Sequence, residues 1–424
     1  MLLPRRTARI PLHCRSMSTK ELRATRRTRD RTTQLSPDAE AMVSASLGLA
    51  NSGSRSEDLY WEHQLARLLD RALDAAHSST ISSALERLNQ TDGEGYGVLV
   101  EAVEHAAETA VVEPGPAARA SSRHHGLLLT APLVAWTRFA IPSGVIAAPV
   151  AEALTRLWLD TILAPGVVFR LVPWLYSLDQ LPREFADMRK LTRKLTIAAV
   201  GDATPRIDFK NMQESAEMLA DTRFLLAVVA VDDPLQPLFR WQLSGGAHQS
   251  RISCLEQWVE RARPLLEPML PGCGFECLLP DAYHINLRES DRRVRPWGIK
   301  AAVHFLTHAL AIEARQIKAT VGAFGSERID EYRIGLSVGE SEEVAQGVVW
   351  PLLGSESESD EPSPLDRIKE TLREVGVEDI QVWSEFNEPE FCEDCGAPLY
   401  PSPSGDVMHV EMPEDTEPAS TQFH

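Results

Sequence analysis

Two cysteines near the carboxyl end are the residues of this chain best spaced for chemistry. They lie in Glu388-Pro-Glu-Phe-Cys392-Glu-Asp-Cys395-Gly-Ala-Pro-Leu399. C-x-x-C spacing lets two thiolates share one tetrahedral metal ion, and a glycine after the second cysteine permits the tight turn of a zinc knuckle. His409, beyond a turn at Pro403-Ser-Gly405, is placed to add a third ligand after a short hairpin. Cys392, Cys395 and His409 therefore predict a structural Zn2+ site. Four donors close such a site. No second C-x-x-C exists, so the fourth would come from a distant cysteine, an acidic side chain or a partner chain. The competing expectation is an unmetallated thiol pair. A thioredoxin-like redox role is disfavoured, since the pair does not open a helix after a strand.

A second concentration of reactive types is Asp281, His284, Arg288, Glu289, Asp291, Arg292, Arg293 and Arg295. A histidine near a carboxylate can act as general base, and arginines can hold an anionic ligand. A catalytic site would draw on Asp281, His284, Arg288 and Arg292, with Asp330 and Arg333 of the Glu327–Arg333 run as neighbours. The favoured alternative is a salt-bridged connection between strand and helix. His304 and His308 stand at i, i+4, but opposite the stripe Ile299, Val303, Leu306 and Leu310 and without an H-E-x-x-H context. Cys273 and Cys277 would sit about 13 Å apart along a strand, which makes them packing thiols. No nucleophile elbow, Walker loop or dinucleotide fingerprint stands in a supporting context.

These residues need elements to hold them. Asp38–Leu49, a helix capped by Ser56 and carrying Leu65, Leu68, Leu69, Ala72 and Leu73, Ser79–Leu88, Gly97–Ala107 and Arg183–Ala199 all show helical periodicity. The apolar residues 126–178 read as buried core, because Pro132, Arg138 and Pro142 break any membrane-length run. Phe224–Val231 and Leu238–Trp241 read as strands, Ile252–Leu265 as a helix, and Gly272 and Gly274 as a turn into a buried strand at Phe275–Leu279. Pro296 is expected to open a helix. Ala319–Phe324, Tyr332–Val338 and Gln346–Leu353 have strand character. Leu365–Val375 is a helix stopped at Gly376, and Ile380–Trp383 an edge strand. The expected class is α+β, with an all-helical half packed on a domain whose sheet is largely antiparallel. Its divisions are a disordered basic tail (1–35), a helical domain (36–200), a linker (201–222), an α+β domain (223–386) with a solvated acidic loop (354–364), a knuckle-like segment (387–416) and a disordered tail (417–424).

The 424 residues suffice for two or three domains. The net charge of −18 is uneven, at +8 over residues 1–35 and −16 over 355–424. An acidic body argues against wrapping a nucleic-acid backbone, so nucleic-acid binding would be confined to the basic arm. Six cysteines in such a length fit a reducing compartment rather than a disulfide framework. The arm admits three readings: a transit peptide, an anion-binding arm, or an upstream extension with translation starting at Met17.

Several phrases carry a resemblance. They are Ala135-Trp-Thr-Arg-Phe-Ala-Ile-Pro-Ser-Gly, Leu175-Tyr-Ser-Leu-Asp-Gln-Leu-Pro-Arg, Pro271-Gly-Cys-Gly-Phe-Glu-Cys-Leu-Leu-Pro-Asp-Ala-Tyr, Arg328-Ile-Asp-Glu-Tyr-Arg-Ile-Gly, Gly347-Val-Val-Trp-Pro-Leu and Glu390-Phe-Cys-Glu-Asp-Cys-Gly-Ala-Pro-Leu-Tyr. The chain resembles, over roughly residues 36–416, a beta-proteobacterial family catalogued as domain of unknown function 2863. That resemblance carries no activity. It implies a bacterial, cytoplasmic protein, and so weighs for the start at Met17 over a transit peptide. The expectation is a non-catalytic interaction or regulatory protein with a protein partner and no membrane attachment. The alternatives are a hydrolase or transferase acting on an anionic small molecule, and nucleic-acid binding through the arm.

Overall fold

Four helices open the described residues: α1 (Pro37–Ala50), α2 (Arg55–Asp74), α3 (Ser78–Thr91) and α4 (Gly93–Glu108). Oxygen caps start three of them. The Ser36, Ser54 and Asp92 side chains accept from the N–H groups of Ala39, Glu57 and Gly95. Each satisfies a donor that the first turn would otherwise leave bare, an effect of about 1 kcal/mol. The second cap is Ser54, not Ser56, which lies within the first turn. The computed structural model describes residues 35–113, 123–203, 212–215, 218–326, 328–354 and 356–411. The expected tails at 1–35 (all but Leu35) and 417–424, and Glu327, lie outside these residues.

The chain divides into two units, residues 35–135 with 141–291 and residues 136–140 with 292–411. The first is built on a sheet of order β1-β2-β5-β4-β3, namely β1 (Thr109–Val112), β2 (His124–Trp136), β3 (Gly144–Val145), β4 (Val168–Ser177) and β5 (Ala220–Val231). Strands β6 (Gly274–Cys277) and β7 (Asp281–Ala282) add to β2. Every residue of β5 is buried. Its alternate side chains explain why: Leu225, Ala227 and Val229 join one core cluster, Phe224, Leu226 and Val228 another. Helices α5 (Ala148–Thr161) and α7 (Arg251–Leu266) supply Trp158 and Trp258 to the first cluster, and α6 (Phe185–Val200) supplies Met188 and Leu195 to the second. A sheet covered on both faces shows no polar alternation, and each fully buried Leu or Val contributes about 1.5–3 kcal/mol.

The α+β class is as expected, but the helical half ends at Glu108, since β1 to β4 follow before residue 178. Residues 126–136 gave only a continuous apolar run, which periodicity cannot assign between a buried helix and a buried strand. The described residues of the linker expected at 201–222 (201–203, 212–215 and 218–222) belong to the first unit, where β5 begins at Ala220 and pairs antiparallel with β4. The strand expected at Leu238–Trp241 is a single bridge, Leu163 to Phe239, running into a 3-10 turn at Arg240–Gln242. There the Gln242 side chain accepts from the N–H groups of Leu238 and Phe239, donors that a strand partner would have needed.

Helix α8 (Tyr283–Ala309) starts well before Pro296, which lies inside it. Beside Tyr283 and the partly buried Leu287, its early turns bury the polar His284, Asn286, Ser290 and Arg295, so no continuous hydrophobic stripe announced them. The second unit carries a sheet of order β10-β9-β8-β11: β8 (Ile317–Phe324), β9 (Glu331–Val338), β10 (Gln346–Pro351) and β11 (Asp379–Asn387). β8, β9 and β10 are antiparallel, whereas β11 lies at the edge, parallel to β8. That direction follows from helix α9 (Pro364–Glu374), which precedes β11. α9 ends at Gly376 with φ +86°, where glycine carries no Cβ penalty. No helix of the described residues is long and apolar enough to cross a membrane.

Candidate metal centre and the buried charge clusters

The carboxyl-terminal segment is two nested turns. Cys392 N–H donates to Ala397 O (2.8 Å), Gly396 N–H to Cys392 O (2.9 Å) and Leu399 N–H to Glu390 O (3.0 Å), and Gly396 takes φ +73°. Strands β12 (Tyr400–Pro401) and β13 (Val407–Met408) then pair antiparallel around a turn closed by Ser402 N–H to Asp406 O (2.9 Å). This hairpin returns His409 to the cysteine loop. One donor atom each from Cys392, Cys395 and His409 lies within 4.8 Å of the others. Cys395 Sγ and His409 Nε2 are 3.2 Å apart, and His409 Nδ1 lies 2.9 Å from Val410 O. A carbonyl can only accept, so Nδ1 holds the proton and Nε2 offers its lone pair toward the sulfur. A zinc ion with bonds of about 2.3 Å to sulfur and about 2.0 Å to nitrogen fits between such donors after small side-chain shifts. The described residues therefore form a Cys2His arrangement able to hold a metal ion.

Arg333 of β9 fastens this segment to the sheet. Its fully buried guanidinium donates from Nε to Glu331 Oε1 (2.7 Å) and from Nη1 to Glu390 O (2.6 Å) and Leu399 O (2.7 Å). The two carbonyls stand at either end of the cysteine loop. The guanidinium carbon lies 4.9 Å from the ring centroids of both Phe324 and Phe391, a favourable stack for arginine. Two glycines let the hairpin approach. A Cβ on Gly335 would stand 2.0 Å from Pro401 O, and one on Gly347 2.4 Å from the Tyr400 ring. Gly335→Ala is therefore expected to push the hairpin off β9, lowering stability by about 1–3 kcal/mol and weakening metal retention. Thermal denaturation and a chelator challenge would check both effects.

Of the residues singled out at 281–333, Asp281, His284 and Arg288 lie in the first unit and all act on Glu108, while Arg292, Asp330 and Arg333 belong to the second. His284 and Arg288, on one face of α8, meet Glu104 and Glu108 of α4, which sequence reasoning missed. Arg288 Nη1 donates to Glu104 Oε1 (2.7 Å) and Oε2 (2.6 Å), and His284 N–H donates to Glu108 Oε2 (2.9 Å). His284 Nδ1 stands 3.6 Å from Glu104 Oε1, too long for a hydrogen bond. Burial, and secondarily the Arg288 charge, lower the imidazole pKa to about 3, so that contact is not an ion pair. Burial pushes Glu108 up to about 8, with Glu104 and Asp281 adding to the shift against the His284 N–H bond and Arg288. Glu104 is also raised by burial, opposed by Arg288. A signal for the missing pair existed: Glu104 and Glu108 are four apart on the face of α4 that buries Val100, Val103 and Ala107.

Asp281 pairs instead with Arg251 of α7 and accepts from Ala282 N–H (2.8 Å). Arg292 contributes to the field on Glu356, whose carboxylate takes Arg295 Nη1 (2.7 Å) and Nη2 (2.9 Å). Burial opposes the Glu356 charge, but the Arg295 bonds, its charge and the Leu353 N–H outweigh it and hold the carboxyl below its ordinary range. The acidic loop 354–364 is thus not merely solvated, because Glu356 anchors it on a buried arginine. Asp330 is exposed and bonded by Arg328 (3.3 Å). Cys277 is buried in β6, which pushes its thiol up to about 12, in keeping with packing. His304 and His308 are exposed.

The sequence model of a family described as protein of unknown function (DUF2863) matches residues 26–423. The chain belongs to that family. No curated protein and no solved structure matches it. The matched span includes the cysteine loop, the hairpin and Arg333, so the candidate metal centre lies within the DUF2863 region.

Proposed function

We propose that this DUF2863 chain is a non-catalytic interaction or regulatory protein of the cytoplasm whose carboxyl-terminal hairpin is closed by structural Zn2+. The observation that carries the reading is the convergence of Cys392, Cys395 and His409 on a segment clamped by Arg333. Backbone bonds at both ends and a fixed histidine tautomer suit a site that holds a fold together. The charges an enzyme site would recruit also favour this reading, since they already have protein partners. Asp281 serves Arg251, Arg288 serves Glu104, and Arg333 serves the hairpin.

Elemental analysis of protein purified without chelator tests it, beside a Cys392→Ser/Cys395→Ser variant. About one zinc per chain is expected, lost in the variant together with amide protection over the hairpin. Zinc-free protein with both thiols freely titrating would refute the metal reading. Failure of the full chain to retain any stoichiometric partner from lysate would refute the interaction reading.

A further inference from the structure

Strand β11 ends the four-stranded sheet, and its outer edge pairs with no strand among the described residues. Its register along β8 jumps from Val382↔Val321 to Phe386↔Ala323, so β11 spends four residues where β8 spends two. Within this bulge Trp383 stays half-buried near Phe324, while Val382 and Phe386 stand 37% and 44% exposed. The outer edge thus offers backbone donors and acceptors with two apolar side chains beside them. Such an edge can take up an extended peptide as a further strand.

The charge beside it selects the occupant. The strand and its flanks, residues 376–390, contain five carboxylates, of Glu378, Asp379, Glu385, Glu388 and Glu390, and no lysine or arginine. All five residues are exposed, and Asp379 meets Lys318 of β8 at 4.0 Å. Two copies of this edge would repel each other, which is how edge strands avoid self-pairing. A chain of opposite sign is attracted and steered. We infer that the outer edge of β11 is a docking strand for an extended Lys- and Arg-rich segment of a partner protein, with apolar residues at alternate positions to meet Val382 and Phe386. This rests on the reading of the chain as an interaction protein and names the class of its partner.

The test uses the full chain, a labelled peptide alternating Lys and Val, and a counterpart with Glu replacing Lys. Fluorescence anisotropy should show binding of the Lys peptide alone, weakened about ten-fold or more by high ionic strength. Amide exchange over residues 379–387 should slow in the complex. A Val382→Lys/Phe386→Lys variant, with unchanged circular dichroism and zinc content, should lose affinity by about ten-fold. Equal binding of both peptides, or binding without protection at 379–387, overturns the proposal while leaving the interaction reading standing. So does an edge already protected before peptide is added. Protection that grows with protein concentration would then mark a second copy, and concentration-independent protection the chain's own basic segment. If β11 behaves as expected yet lysate yields no stoichiometric partner, the docking chemistry stands and the interaction reading falls.

Discussion

Arg333→Met should lower the stability of the second unit by about 3–5 kcal/mol, the cost of stripping one partner from a buried charged network. The substitution keeps apolar volume between Phe324 and Phe391 but leaves the Glu331 carboxylate and the carbonyls of Glu390 and Leu399 without their donor. Those carbonyls bound the cysteine loop, so a bound metal should also be lost to chelator far faster. Arg333→Lys should recover only part of the loss, since a single ammonium cannot reproduce a planar fork bonded to three acceptors. Urea denaturation followed by a unit-specific probe, with zinc release timed in parallel, would measure both effects. A variant with unchanged midpoint and unchanged metal retention would show that Arg333 is not the clamp.

Glu108→Gln should stabilise the first unit at alkaline pH, by an amount on the order of 5 kcal/mol at pH 8 and above. With a folded pKa of about 8 against an ordinary 4.5, the buried carboxyl keeps its proton while the unfolded chain releases its own. Stability is therefore whole below pH 4.5 and lost as pH rises toward 8. His284 has the opposite sign. Its folded pKa of about 3 means that the unfolded chain takes up a proton first, so stability falls as pH drops below 6.5. Together the two groups predict a plateau between about pH 4.5 and 6.5 with losses on either side. The variant should lose the alkaline fall and, with His284 alone titrating, gain stability with pH between about 4.5 and 6.5 where the parent is flat, because the amide oxygen can still accept the His284 N–H. Glu104, raised in the same direction, would leave a residual slope there, and Arg288 would keep its partner. Melting temperature across pH for both proteins decides this. Parallel curves would remove Glu108 from the balance.

Local signals were enough for most elements that carry their own punctuation. Gly376, read as a helix stop and found at positive φ, and the runs at 319–324 and 332–338 stand where short-range rules place them. The Cys392/Cys395/His409 set was equally legible, because C-x-x-C spacing and a following turn nearly dictate the approach of the ligands. What the sequence by itself determined is thus the chain's local grammar, its acidic end and one metal-competent motif. Only the tertiary structure decided that residues 126–136 form a strand, because a segment buried on both faces has no period to betray it. It alone decided the pairing of Glu104 and Glu108 with α8, about 180 residues away in sequence. A buried charge must find a partner or lose its charge, but its sequence does not say which helix supplies one. Arg333 makes the same point. Read along the chain it is one charge in a polar run, and only packing turns it into the fastening of the hairpin.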